Sequence, residues 1–187
     1  MSGQPLLLLD VDGVLNLQVP SSMRQHAKHD FDVVRTVPGT DMRVWVGRYG
    51  PYSIHWRENI ADVFKPLTGV FRIVWCTTWQ EAANPFWLPK LRLVDELTVI
   101  PLEWEPTTDG TCWKTSQVAA WLEEHGGADP VGVWFDDDVS DLDRDELPEG
   151  ILPIRVDPRP GLTDDLVHEA LNHVRACPGL VVGGEQP

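Results

Sequence analysis

The sequence predicts an α/β fold, a Rossmann-like three-layer sandwich around a central parallel sheet of about five strands. Two observations carry this prediction. Short apolar runs of strand length recur along the chain, and amphipathic stretches of helical length separate most of them. Strands that alternate with helices favour a parallel sheet with helices on both faces. The apolar runs cover residues 6–9, 70–76, 97–102, 131–135 and 151–156.

The first run, residues 6–9, is an unbroken row of leucines that leads directly into two aspartates. A continuous apolar run that stops at a turn signal indicates a strand buried on both faces. Asp10 and Asp12 are poor strand residues, and Gly13 lets the chain bend sharply after them. Both carboxylates are therefore expected just beyond the carboxyl end of the first strand.

Three stretches carry apolar residues at helical spacing and predict helices at residues 55–67, 113–125 and 162–175. Thr163 is placed to cap the last of them. Residues 79–95 contain two prolines and two tryptophans. That composition predicts a short helix with an irregular continuation.

Residues 17–54 interrupt the alternation of strands and helices. Alternating runs flank the turn sequence at residues 38–41, Pro-Gly-Thr-Asp, and predict a β-hairpin. This hairpin follows the two aspartates, so it is expected to act as a flap or minimal cap. We expect one domain over residues 1–177 and a flexible tail over residues 178–187.

Composition argues against several functional classes. The chain has 187 residues, 42% of them hydrophobic, and a formal net charge of −14. An acidic surface disfavours non-specific binding to nucleic acid or anionic membranes, although a local basic groove stays possible. The apolar runs are too short to span a membrane, and no signal peptide is visible. Three cysteines without metal-like spacing indicate reduced thiols, so we expect a cytoplasmic protein.

Polar residues collect where the predicted strands end. Ligands of open parallel sheets bind outside the carboxyl ends of the strands, so these side chains are expected to converge at one edge. The residues that follow the apolar runs are Asp10, Asp12, Thr77, Asp136, Asp137, Asp138 and Asp141. Lys114 begins the predicted helix that leads into the fourth run, residues 131–135, and is expected at the same edge.

This set of side chains points to phosphoryl chemistry. Several facing carboxylates raise one another's pKa, and a divalent cation removes that conflict. Oxygen ligands without histidine or cysteine suit Mg²⁺. A hydroxyl and a lysine beside the metal suit the remaining oxygens of a phosphoryl group, and a carboxylate nucleophile implies an aspartyl-phosphate intermediate.

The sequence resembles the haloacid dehalogenase superfamily, whose four motifs span nearly the whole chain. The first motif, DxDG, stands as DVDGVLN, and the second, an apolar strand that ends in threonine, stands as IVWCT. Lys114 matches the third motif, a lysine ahead of the fourth strand, and DDDVSD matches the acidic fourth motif. The WCTTW and VWFDDD wording is further similar to a subgroup described as a companion domain in bacterial RNA-repair proteins.

The resemblance implies a role for each catalytic residue. Asp10 would be the nucleophile, and Asp12 would protonate the leaving group and later activate water. Thr77 would donate a hydrogen bond to a phosphoryl oxygen, and Lys114 would neutralise charge. An acid at position 12 points to a phosphatase or phosphomutase rather than a dehalogenase.

The resemblance also implies a Mg²⁺ site. Asp10, the backbone carbonyl of Asp12 and Asp136 would hold the metal. Asp137 is the second choice for a direct ligand, because the triple aspartate leaves the register ambiguous by one. Asp137 or Asp141 would complete the shell through water.

The candidate substrate contacts beside this site are Thr78, Trp79, Trp45 and Asp141. Thr78 and Trp79 directly follow Thr77, Trp45 lies on the expected flap, and the two tryptophans are placed to stack on a ring or base. Residues further along the acidic loop, Asp143 among them, are expected to be solvated.

The substrate class stays open at this stage. A site with only a flap is exposed, which favours a phosphorylated polymer end such as an RNA or DNA terminus, provided that the basic residues of the flap gather. A small phosphorylated metabolite is equally tenable. Alternative functions are a phosphomutase and a non-catalytic module that binds a phosphorylated ligand; the oligomeric state cannot be inferred. The basic residues of the flap are Arg24, Lys28, Arg35, Arg43 and Arg48.

Overall fold

The central sheet contains five parallel strands, which confirms the predicted α/β sandwich. The structure is a computed structural model that describes residues 3–19, 35–37 and 39–177. In the central sheet the strands lie in the order β6-β5-β1-β7-β8. Over the described residues the strands are β1 (Leu6–Leu9), β2 (Arg35–Thr36), β3 (Arg43–Tyr49), β4 (Tyr52–Arg57), β5 (Arg72–Trp75), β6 (Thr98–Val99), β7 (Gly132–Asp136) and β8 (Ile151–Arg155).

Strand β1 lies at the centre of the sheet, and its four leucines are almost completely buried. The helices of the described residues are α1 (Ile60–Thr68), α2 (Ala83–Leu91), α3 (Thr115–His125) and α4 (Asp164–Ala176). Leu7 and Leu9 face one hydrophobic cluster, which also contains the inner faces of α1, α2 and α4. Leu6 and Leu8 face the second cluster, which contains the inner face of α3. Helices thus cover both faces, as the unbroken apolar run predicts.

The predicted hairpin is part of a small antiparallel sheet with the order β2-β3-β4. Thr36 of β2 pairs with Arg43 of β3, so residues 39–41 of the predicted turn lie between these two strands, while Pro38 lies outside the described residues. The prediction that a helix starts at residue 55 is wrong, because residues 55–57 belong to β4 and pair with β3. Pairing across the ladder satisfies their backbone groups, and this outweighs the local apolar spacing. The rest of the predicted flap, residues 20–34, lies outside the described residues.

The helical predictions at residues 113–125 and 162–175 are confirmed to within two residues. The side chain of Thr163 accepts a hydrogen bond from the backbone N–H of Leu166 at 3.4 Å, which makes it the N-cap of α4. Residues 80–82 form a 3₁₀ turn that runs directly into α2. The predicted flexible tail at residues 178–187 lies outside the described residues. Among the helices that are described, none is long and apolar enough to cross a membrane.

The cap of α4 gives a prediction on stability. Thr163→Ala should lower the free energy of unfolding by about 1 kcal/mol, because the backbone N–H of Leu166 loses its acceptor. Thr163→Ser keeps the hydroxyl and should stay close to wild type. Urea denaturation of the three proteins measures the difference, and equal midpoints for the alanine and serine variants would contradict the capping role.

Candidate active site

Strands β1, β5 and β7 end at the same level, so the residues that follow them meet at one edge. Leu9 is in register with Trp75 of β5 and Phe135 of β7. The backbone N–H of Asp10 donates to the carbonyl of Phe135 at 3.0 Å. The nucleophile candidate therefore lies beside Asp136, the last residue of β7.

Lys114 is buried between two of these carboxylates. It directly precedes α3, and only 4% of the residue is exposed. Its Nζ lies 2.8 Å from Oδ2 of Asp10 and 2.7 Å from Oδ2 of Asp136. Buried charges are costly unless they are paired, so each of the three groups stabilises the others.

One lysine does not balance the negative charge at this edge. Burial and the neighbouring Asp136 raise the pKa of Asp10 to about 8, against the opposing effect of Lys114. Burial is also the main cause of the raised pKa of Asp136 and of Asp137. For Lys114, burial alone would lower the pKa, but the two carboxylates outweigh it and raise the pKa. The site has an excess of acid that a bound cation would compensate.

The carboxylates are close enough to share a metal ion. Asp10, Asp136 and Asp137 each offer an oxygen, and the three oxygens lie within 4.8 Å of one another. An oxygen-only donor set suits Mg²⁺. Gly13 borders this group at a φ of +76°, and a methyl group on its Cα would overlap the carboxylate of Asp137. The glycine of the first motif is thus required both by its backbone and by the space that Asp137 occupies.

Asp12 lies outside this group of three and points to solvent-accessible space. One of its carboxylate oxygens accepts a hydrogen bond from Nδ2 of Asn16 at 2.6 Å. The other accepts from Nε1 of Trp79 at 2.9 Å. The two donors fix the carboxylate at the edge of an open pocket. Its predicted metal contact, through the backbone carbonyl, stays a prediction.

The threonine pair after β5 divides between the interior and the pocket. Thr77 is fully buried, and its Oγ1 accepts a hydrogen bond from the backbone N–H of Trp79 at 3.4 Å. Thr78 is exposed and lines the pocket together with Trp79. The predicted phosphate contact of Thr77 stays a prediction.

Other predicted residues lie further from this centre. Trp45 is half-buried against the main hydrophobic cluster, so it has a packing contact in this structure. Asp141 is exposed at the start of the 3₁₀ helix Asp141–Glu146, and Asp138 donates its backbone N–H to Asp136 at 3.0 Å. The predicted substrate contact of Trp45 and the metal or substrate contact of Asp141 remain predictions.

The basic residues of the flap do not all fall within the described part of the chain. Arg24 and Lys28 lie outside it. Arg43 forms an ion pair with Glu58 at 3.0 Å. A basic groove on the flap is therefore still a prediction.

The expectation that Asp143 is solvated is wrong, and the residue is completely buried. Its Oδ1 accepts from the backbone N–H of Cys112 at 2.7 Å and from the hydroxyl of Thr115. Its Oδ2 accepts from the backbone N–H and the hydroxyl of Ser140 at 2.6 and 3.1 Å. Asp143 thereby ties the acidic loop to the residues that flank Lys114. The sequence signal was Ser140 three residues earlier, which forms a capping box with Asp143.

A pocket of about 500 Å³ opens beside Asp12. The hairpin of β3 and β4 forms one wall, and the Thr78–Trp79 segment forms another. The carboxylate cluster and the pocket are therefore adjacent, with Asp12 at their boundary.

The fold and this edge together define a domain of the haloacid dehalogenase type: a parallel sheet that brings a DxDG loop, a threonine, a lysine and an acidic loop to one edge. Residues 6–167 match the family model described as the HAD domain in Swiss Army Knife RNA repair proteins. The match covers most of the chain, which belongs to this family. No curated protein and no solved structure matches the chain. The predicted superfamily and its narrower RNA-repair subgroup are both confirmed.

The buried contacts of Asp143 predict its effect on stability. Asp143→Asn places an amide group against backbone and hydroxyl donors, so the free energy of unfolding should fall by about 1–3 kcal/mol. Asp145→Asn is the matched control, because Asp145 is an exposed acid on the same 3₁₀ helix; it should change stability by less than about 0.5 kcal/mol. Thermal unfolding of both variants gives the comparison. If both variants lost equally little stability, the hydrogen bonds of Asp143 would contribute little to the free energy of unfolding.

Proposed function

We propose that this domain is a Mg²⁺-dependent phosphatase that forms an aspartyl-phosphate on Asp10. The arrangement that supports it is the buried Asp10–Lys114–Asp136 group beside Asp12. A candidate nucleophile, the lysine cation and a candidate acid thus lie together at one edge of the sheet, which supports the proposal. Membership of a haloacid dehalogenase-type family supports phosphatase chemistry in general.

In the first step a carboxylate oxygen of Asp10 attacks phosphorus, and the bond from phosphorus to the leaving oxygen breaks. Asp12 donates a proton to that oxygen, so the product leaves as a neutral alcohol. Lys114 lies against the nucleophile and offsets negative charge as the new bond forms. The hydroxyl of Thr77 donates a hydrogen bond to a phosphoryl oxygen.

In the second step Asp12, now deprotonated, takes a proton from a water molecule. The resulting hydroxide attacks phosphorus, and the bond between phosphorus and Asp10 breaks. Inorganic phosphate leaves, and both aspartates return to their starting states. Asn16 and Trp79 orient Asp12 in both steps, since they hold its two oxygens.

Mg²⁺ would be held by Asp10, Asp136 and the backbone carbonyl of Asp12, with Asp137 in the shell. When bound, it supplies positive charge that offsets the charge of the phosphoryl oxygens. The close oxygens of Asp10, Asp136 and Asp137 support this assignment.

We further propose a phosphorylated nucleic-acid end as the substrate class. The family description, which refers to RNA-repair proteins, supports it. The small hairpin beside the site also supports it, because an exposed site admits the end of a polymer. A phosphorylated metabolite is the competing class, and substrate screening separates the two.

Hydrolysis of an aryl phosphate tests the mechanism. Wild-type protein should release phosphate with Mg²⁺ and not with a chelator, and Asp10→Asn should lose at least about 1,000-fold in kcat because the nucleophile is gone. Asp145→Asn, an exposed acid, should retain wild-type activity. Mass spectrometry of acid-quenched protein should show a phosphoryl group on Asp10. Full activity in Asp10→Asn would refute the proposed nucleophile.

Metal binding tests the acidic loop independently of turnover. Asp137→Asn should weaken Mg²⁺ binding about tenfold, because it removes one charge from the site. It leaves the buried contacts of Lys114 with Asp10 and Asp136 in place, so the variant should fold. Titration calorimetry with Mg²⁺ measures the affinity. An unchanged dissociation constant would remove Asp137 from the metal shell.

A further inference from the structure

We infer that the pocket beside Asp12 binds the base of a nucleotide, so that the preferred leaving group carries a nucleobase. The inference rests on the proposed function, since it assigns the alcohol side of the phosphate ester. Asp12 is the residue that links the two sites. It lines the pocket, and it is the proposed acid for the leaving oxygen. The group that receives its proton must therefore extend into or past this pocket.

Two tyrosines of the hairpin tip line the pocket. Strand β3 ends at Tyr49 and β4 begins at Tyr52, so the turn between them is only Gly50-Pro51. Tyr49 and Tyr52 are directly paired across this turn. Gly50 has a φ of +56°, a conformation that glycine adopts without strain and that a tight hairpin requires. The short turn therefore places two aromatic side chains at one wall of the pocket.

The third ring, Trp79, packs directly against Tyr49 and is held in place. Its Nε1–H donates to Asp12 at 2.9 Å. Its ring centroid lies 4.9 Å from that of Tyr49 and 5.3 Å from that of Phe86. A fixed indole beside two tyrosines forms a surface on which a planar ring can stack without further ordering of the protein.

The exposure of these rings agrees with a stacking role. Tyr49 is 41% exposed and Tyr52 is 68% exposed. A single exposed aromatic residue is ordinary on a protein surface. Here, however, both rings line the same pocket as the proposed general acid, and a stacked base would remove their apolar faces from water.

The charge of the pocket favours a neutral ring over a second anionic group. Among the described residues that line it, Asp12 is the only charged one. Side chains of Asn16, Ser53 and Thr78 add hydrogen-bonding groups to the wall. A nucleobase has an apolar face and a polar edge, which match the rings and these groups. A metabolite with a carboxylate or a second phosphate at this position would lack a cationic partner.

Substrate comparison with Tyr52 variants tests the inference. The substrates are adenosine 3′- and 5′-monophosphate, a short RNA with a terminal phosphate, and β-glycerol phosphate as the ester without a ring. The variants are Tyr52→Ala and Tyr52→Phe, which respectively remove and keep the ring. Trp104→Ala is the matched control, because Trp104 is 72% exposed and lies outside the pocket lining.

Wild-type protein should prefer the base-containing esters. Tyr52→Ala should raise KM for them about tenfold, equivalent to about 1.4 kcal/mol of lost binding, with kcat nearly unchanged. Tyr52→Ala should lose far less on β-glycerol phosphate than on the base-containing esters, and Tyr52→Phe, which keeps the ring, should lose less than Tyr52→Ala on those esters. Trp104→Ala should match wild type on every substrate. The ratio of rates on mononucleotide and RNA shows whether the base belongs to a free nucleotide or a polymer end. Equal losses on all substrates, or no preference for a base, would overturn the inference.

A binding measurement separates this inference from the proposed function. Adenosine has no phosphate, so its binding does not depend on Mg²⁺ or on Asp10. Calorimetry should show adenosine bound by wild type and Tyr52→Phe, and at least tenfold weaker binding by Tyr52→Ala. If no ester is hydrolysed but this pattern appears, the phosphatase proposal fails and the pocket assignment stands. If wild-type protein does not bind adenosine, the pocket assignment fails whatever the activity.

Discussion

This domain depends on the two buried ion pairs that the ammonium group of Lys114 forms with the carboxylates of Asp10 and Asp136. The two contacts, of 2.8 and 2.7 Å, connect three elements of the fold. Asp10 follows β1, Asp136 ends β7, and Lys114 directly precedes α3. An unpaired charge at this depth would be strongly destabilising, so the three elements must meet in one arrangement. The same three groups form the proposed site. Folding and chemistry at this edge therefore depend on the same charges.

The parts of the site that could be predicted are those that the parallel sheet itself brings together. Side chains that follow the carboxyl ends of parallel strands share an edge, and this placed Asp10, Thr77 and Asp136 correctly from apolar runs alone. Lys114 was predictable as well, because the helix that it precedes connects the edge to β7. Strand ends depend on local sequence patterns, which a single sequence displays.

The parts that could not be predicted depend on contacts between residues far apart in the chain. Asp143 looked like one more exposed acid, and its burial comes from donors near residue 112 that local sequence does not link to it. Residues 55–57 have helical spacing, yet pairing with β3 makes them a strand. Tyr49 and Tyr52 lie beside the site because the hairpin tip packs against Trp79, whose ring centroid is 4.9 Å from that of Tyr49. In each case tertiary contacts decided what local propensity left open.

The hydrogen bond from Trp79 to Asp12 constrains how this domain can evolve. Trp79 lines the pocket, and its indole N–H also orients the proposed acid. Under the proposed function, a substitution at Trp79 would therefore affect ligand preference and proton transfer together. Tyr52, which follows the two-residue turn, takes no part in the hydrogen bond between Trp79 and Asp12. Under the proposed function, ligand preference can therefore change at Tyr52 without disturbing the hydrogen bond that orients Asp12.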